Sequence, residues 1–186
     1  MSTEAINHQD ILSKFNSKVT PELFKSIHSG YRGEQVIEAG YVDSGYDSIV
    51  IHINDYVVKI YDDPSMKLDT LQRYKDITNQ LVEITVAKEI KVISAEREMR
   101  ILVNPILWLG HNEIINYPVA ISPFISGDHV AGNDRFLVES EMKKYQQVLG
   151  VSGIGIDPRN MKVLSNTSNT IVVTDLCTSI ASLVRI

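Results

Sequence analysis

Four groups of residues in this chain have the types and spacing to do chemistry. The first lies late in the sequence. It reads Gly155-Ile156-Asp157-Pro158-Arg159-Asn160-Met161-Lys162-Val163, then a polar turn, then Ile171-Val172-Val173-Thr174-Asp175-Leu176. Apolar arms around a polar turn predict a β-hairpin. Asn160 starts one arm and Asp175 ends the other. Both offer oxygen, the donor a hard divalent cation takes, and a hairpin fixes their separation. Asp157 lies just before them. A carboxylate ending an apolar strand needs explaining; the alternative is turn chemistry, because Asp-Pro and Asn are common turn formers.

The second group is Lys59, in the apolar run Tyr56-Val57-Val58-Lys59-Ile60-Tyr61. A buried lysine is costly unless paired, which suits it to a phosphate or a carboxylate. The alternative is an edge strand with Lys59 facing water. The third group, Gly45-Tyr46-Asp47-Ser48-Ile49-Val50, sits between two strands. Gly45 would let backbone approach a phosphate and Ser48 leaves room; an ordinary hairpin turn also explains it. The fourth is Asp76 and Glu83, which share one face of a helix and are both candidate partners for Lys59. They also read as two solvated acids. The histidines His8, His28, His52, His111 and His129 are scattered and show no zinc spacing.

The elements that would position these groups follow from pattern. Thr20-Pro21-Glu22 opens a short helix that Ser29-Gly30 stops. Residues 1–19 read as unstructured or weakly helical. Strands are expected at Val36–Ala39, Ser48–Ile53 and Tyr56–Tyr61, with Asn54-Asp55 as a tight turn. Residues 66–91 predict a long helix burying Leu68, Leu71, Ile77, Leu81, Ile84 and Ala87, and Glu96–Met99 a short turn. Strands at Ile101–Trp108 and Ile115–Ile121 complete a five-stranded sheet. A helix over 134–149 would bury Phe136, Leu137, Met142, Tyr145 and Leu149. The order predicts an α+β fold with an antiparallel sheet.

Composition narrows the class. A length of 186 residues suits one domain or two small lobes. A net charge of −5 argues against broad binding to nucleic acid or acidic membranes. The single cysteine, Cys177, excludes an internal disulfide and favours a reducing compartment. The first residues lack the apolar core of a signal peptide, and no run approaches the ~20 apolar residues of a membrane span. The expectation is a cytoplasmic protein.

Taken in order, these pieces resemble the protein-kinase-like fold, nearest to its aminoglycoside and small-molecule phosphotransferase branch. The family's glycine loop, G-x-G-x-x-G-x-V, is similar to the window Asp43–Val50: Gly45 and Val50 match, and Ser48 replaces the third glycine. Its V-x-K strand matches Val57-Val58-Lys59, which implies that Lys59 pairs with nucleotide phosphates; Glu83 or Asp76 remains the candidate helix acid beside it. Pro123–Gly127 looks like the hinge that holds adenine. In the family's H-x-D-x-x-x-x-N pattern Asn160 matches, and Asp175 matches the later metal ligand. The His and Asp positions are Gly153 and Gly155. The usual catalytic aspartate is thus missing, and Asp157 is the candidate displaced base.

The resemblance implies ATP and Mg²⁺ as ligands. It also implies an extension with a short helix (1–35), a kinase-like N-lobe (36–127), and a minimal C-lobe (128–186) holding one helix and the metal-site hairpin. Because only eleven residues follow Asp175, the acceptor lobe is expected to be truncated. Three readings follow: a catalytically impaired, pseudokinase-like domain, docking a protein partner or a second copy through the truncated face; an active small phosphotransferase using Asp157; or an unrelated α+β interaction domain.

Overall fold

The computed structural model describes residues 7–29, 35–37, 40–44, 48–94, 97–130, 132–164, 167 and 169–176. They divide into two compact units, each built from two stretches of chain: Met1–Leu68 with Leu107–Phe124, and Asp69–Ile106 with Ile125–Ile186. The α+β expectation is met, with mainly antiparallel sheets and helices in the described chain.

The first unit begins with α1 (His8–Lys18) and α2 (Pro21–Ser29). Residues 1–19 read as poorly structured or weakly helical; over His8–Lys18 the chain is a regular helix, and residues 1–6 lie outside the described residues. The Asn7 side chain accepts the Gln9 N–H, Asp10 sits in the first turn and Lys18 in the last, a complete set of end signals. Ile11, Phe15 and Val19 recur every four residues and are all buried.

The sheet of this unit contains β1 (Gln35–Ile37), β2 (Gly40–Ser44), β3 (Ile49–Ile53) and β4 (Tyr56–Ile60). After the helix α3 (Leu68–Ala87) and the hairpin β5 (Lys91–Ser94) and β6 (Arg97–Val103), the chain returns with β7 (Trp108–Asn112) and β8 (Tyr117–Pro123). The order is β1-β2-β3-β4-β8-β7. The expected sheet had five strands; this one has six: β2 was not expected, and of β7 only Trp108 lay in an expected strand. Alternation puts Ile49, Ile51, Ile53, Val58 and Ile60 on one face, where they join Ile11, Leu12, Phe15, Phe24 and Ile27 of α1 and α2 in one core.

The expected strand Ile101–Trp108 is two strands. Pro105 has no N–H to give a strand ladder, and residues 104–107 belong to neither strand. One strand therefore ends at Val103, and the next begins at Trp108 in the other sheet. Of the expected turn at Glu96–Met99, residues 97–99 open β6, and Glu96 lies outside the described residues.

The second unit holds a sheet that the pattern did not reveal. Its order is β5-β6-β11-β10-β9, with β9 (Gly127–His129), β10 (Met161–Leu164) and β11 (Thr170–Val173). The hairpin β10–β11 is therefore no free appendage. Its second arm runs parallel to β6, pairing Ile171 with Ile101 and Val173 with Val103. On the other side β9 pairs with β10. A Cβ on Gly127 would lie 2.0 Å from the Val163 carbonyl oxygen, so this backbone crossing requires glycine.

In α3 the buried residues are Leu71, Tyr74, Thr78, Leu81 and Thr85, a seam with steps of three and four. Leu71 and Leu81 were expected. Leu68 is 41% exposed, Ile77 and Ile84 are half-buried, and Ala87 is exposed. Threonine is tolerated in the seam because its hydroxyl is satisfied locally: Thr78 donates to the Tyr74 carbonyl at 2.8 Å and Thr85 to that of Val82 at 3.0 Å. The helix α4 (Asp134–Lys143) buries Val138 and Met142, one turn apart, and a short helix α5 (Gln146–Leu149) follows. Phe136 and Leu137, expected inside, are exposed, and the Arg135 guanidinium lies 4.4 Å from the centre of the Phe136 ring.

Candidate functional site

Each unit carries half of the expected residues. In the first, β4 lies between β3 and β8, so Lys59 is not on an edge strand. Register sets Lys59 opposite Val50 on one side and Ala120 on the other. All three are out of phase with Ile51 and Val58, hence on the sheet face away from the α1–α2 core. Lys59 and Val50 are half-buried, and Ser48 is buried just before β3. The structure thus brings Lys59 and Val50 together as cross-strand neighbours. Gly45 lies outside the described residues.

In the second unit the hairpin register pairs Met161 with Val173. Asn160 is the last residue of a 3₁₀ turn, Pro158–Asn160, that leads into β10. Its carbonyl accepts the Thr174 N–H at 2.7 Å and the Thr174 hydroxyl at 3.1 Å. Asp175 is the next residue. Asn160 and Asp175 therefore stand at the same open end of the hairpin.

Asp175 is held by a residue that the sequence did not single out. Tyr74, 101 residues earlier on α3, donates its hydroxyl hydrogen to Asp175 Oδ1. The same oxygen accepts the Leu176 N–H at 3.0 Å. The signal that could have found Tyr74 is its polar tip within an otherwise apolar helix seam, because a buried phenol needs a partner.

Asp157 is engaged differently. Its Oδ1 accepts the Arg159 backbone N–H at 2.8 Å and Nε–H at 3.1 Å, and its Oδ2 accepts from Nη2 at 2.9 Å. The hydrogen bonds from the Arg159 side chain hold the carboxyl below the usual carboxylate range, against a smaller opposing effect of burial. Nearby, the Lys162 ammonium donates to His129 Nε2 at 2.9 Å across the β9–β10 pair.

Glu83 is exposed and off the buried seam of α3, and Asp76 is exposed and accepts from Gln72 at 2.9 Å. Both belong to the second unit and Lys59 to the first.

The donor chemistry at the hairpin suits a cation that arrives with other ligands. Mg²⁺ usually takes one or two protein carboxylates plus phosphates and water. One carboxylate and one amide fit that pattern. Among the described residues no group of three or more His, Cys, Asp or Glu could hold a metal alone. The residues present would fit Mg²⁺ carried by a phosphate ligand.

No family model and no curated protein matches the chain. Solved structures do. A structure of Rad53 residues 1–466 in complex with AMP-PNP aligns at 14% identity and a TM-score of 0.45, covering 74% of this chain and 37% of that one. The GDP and kanamycin complex of APH(2")-IIia aligns at 10% identity and 0.41, covering 87% and 73%. WbdD with the kinase inhibitor LY294002 aligns at 12% and 0.32, covering 76% and 34%. The chain thus spans little more than a third of two of these proteins. Likenesses this loose transfer no residue roles.

Proposed function

We propose that this chain is a kinase-like domain that binds ATP with Mg²⁺ and is catalytically impaired. The observation that carries the reading is the hairpin: Asn160 and Asp175 stand at one end of it, in the order and spacing of the family's two metal ligands. Lys59 on an interior strand beside Val50 supports the phosphate-binding half. In this reading Lys59, with Gly45, Ser48 and Val50, serves the nucleotide's phosphates, Asn160 and Asp175 serve its metal, and Glu83 or Asp76 is the candidate partner of the lysine. The division into 36–127 and 128–186 and a docked protein partner or second copy belong to the same proposal. So does the cytoplasm, supported by the lone cysteine; among the described residues no helix is long and apolar enough to cross a membrane.

Phosphoryl transfer rests on positioning and electrostatics, with a base to receive the acceptor's proton. Gly155 stands where the family keeps that aspartate. A Cβ there would meet nothing closer than the Gly153 carbonyl oxygen at 4.0 Å, so the position has room for a side chain it lacks. Asp157 is the substitute in the competing, active reading. Its ion pair with Arg159 makes it a weaker base than an ordinary carboxylate.

The test is ATP binding with and without Mg²⁺, followed by turnover in wild type and Gly155→Asp. Mg²⁺-dependent binding with no wild-type turnover is the expected result. No binding at millimolar ATP would reject the nucleotide reading and leave an unrelated α+β interaction domain. Wild-type phosphoryl transfer that falls ~10²–10⁴-fold in Asp157→Ala would establish the active alternative.

A further inference from the structure

Lys162 lies on β10, an interior strand between β9 and β11. Met161, just before it, shares the buried face of the sheet with Ile171 and Val173. Lys162 is therefore on the opposite face, in one cross-strand row with Leu102, Val172 and His129. It is half-buried, and its ammonium donates to His129 Nε2 at 2.9 Å. That bond uses one of the three N–H donors of an ammonium. Among the described residues no carboxylate pairs with Lys162. Glu98, the acid that β6 presents on this face, is taken by Lys91 at 2.8 Å. Asp128, beside His129, stands opposite Val163 and so on the other face. Asp157 is held by the Arg159 side chain. Arg100, in the adjacent row with Thr170, adds a second cation to the face, and its Nε is buried without a hydrogen-bond partner.

A half-buried cation without a carboxylate is costly unless an anion meets it. The chain carries a net charge of −5, so the missing acid is no matter of composition. His129 restricts where the ammonium can swing and leaves two donors for a ligand oxygen. Phosphate oxygens take such charge-assisted bonds, and lysine meets them as a point charge. Lys162 follows Asn160 by two residues, roughly 7 Å along a strand, so an anion bound there lies in the neighbourhood of the proposed metal ligand. We infer that Lys162, positioned by His129, is an anion-binding residue that takes the phosphates of the nucleotide. The inference rests on the nucleotide reading above and adds to it a phosphate contact within the second unit, separate from Lys59.

The experiment titrates the full chain with ATP and Mg²⁺ at low and at high salt, in wild type and Lys162→Gln. Gln keeps a donor for His129 and removes the charge. Losing a hydrogen bond to a charged group weakens binding by ~10–100-fold. The expected result is a loss of that order in Lys162→Gln at low salt, and a smaller gap between the two proteins at high salt, where charge attraction is screened. Equal ATP affinity in the two proteins would overturn the inference and leave the nucleotide reading standing. So would a loss that high salt does not narrow, because that marks a loosened fold and not a missing charge. Wild-type protein that does not bind ATP at all would instead overturn the nucleotide reading and this inference with it. Should Lys162→Gln fail to fold, ¹⁵N-imidazole spectra of the wild type decide. The His129 signal must move when ATP and Mg²⁺ are added, and a signal that stays still would reject the role.

Discussion

The two aspartates flanking the hairpin are built in opposite ways. Asp157 is served by Arg159, two residues on, through its backbone and its guanidinium. Asp175 is served by Tyr74 from a helix 101 residues earlier. A carboxylate satisfied by its neighbours needs only a local turn to exist. A carboxylate gripped by a distant helix exists in that pose only when the second unit is folded. The contrast favours Asp175 as the residue the fold is organised to present and Asp157 as turn chemistry.

The largest expected effect tests the gripped side directly. Asp175→Ala should abolish Mg²⁺-dependent ATP binding, exceeding the ~100-fold upper range of an outer-partner change; calorimetry at saturating Mg²⁺ reads it. Retained affinity would erase the contrast. Next comes the helix that carries Tyr74. Leu81 is fully buried, and Leu81→Ala should cost about 2–5 kcal/mol in a denaturant melt. Asn160→Ala should weaken Mg²⁺-dependent binding less than Asp175→Ala does, on the order of tenfold or about 1.4 kcal/mol, because a neutral amide is the weaker ligand.

The smallest effect belongs to Asp157. Its folded pKa is lowered, chiefly by hydrogen bonds from Arg159. The ion pair therefore stabilises the fold above the ordinary carboxylate range and ceases to do so as pH falls through the lowered value. Arg159 is largely exposed, so about 0–1 kcal/mol is at stake. Asp157→Asn should leave stability at pH 7 nearly unchanged and flatten only the acid end of a pH–stability curve. A loss of several kcal/mol at neutral pH would show that Asp157 is as deeply built in as Asp175.

Local signals made half of this legible. The helix at Pro21–Ser29 and the strands Ile49–Ile53 and Tyr56–Ile60 carry caps, β-branched runs and a tight turn within a few residues. The site's hairpin was readable for the same reason. What escaped notice depends on distant pairing. The second sheet needs β6 beside β11, some seventy residues apart and parallel, and no alternation pattern names a partner. Tyr74 escaped because its role lies in the residue it reaches. The faces of α3 and α4 were misjudged by counting aliphatic residues: Thr78 and Thr85 hide their hydroxyls against their own helix, while Phe136 lies exposed beside Arg135. The start of α1 had signals in plain view, in Asn7, Asp10 and the apolar repeat from Ile11 to Val19.

The path of the chain constrains how this protein can be made and cut. Each unit is written in two instalments, and the instalments alternate. When a ribosome has delivered residue 124, every strand of the six-stranded sheet is in hand, but only β5 and β6 of the other sheet exist. The strand that joins the two edges of that second sheet, β11, is the last of the five to be synthesised and sits in the middle. Until it arrives, β6 and the β9–β10 pair have unsatisfied edges, the state in which chains pair wrongly with one another. No single cut yields two self-sufficient halves. A fragment ending before Thr170 should therefore aggregate, whereas adding the few residues through Leu176 should restore solubility.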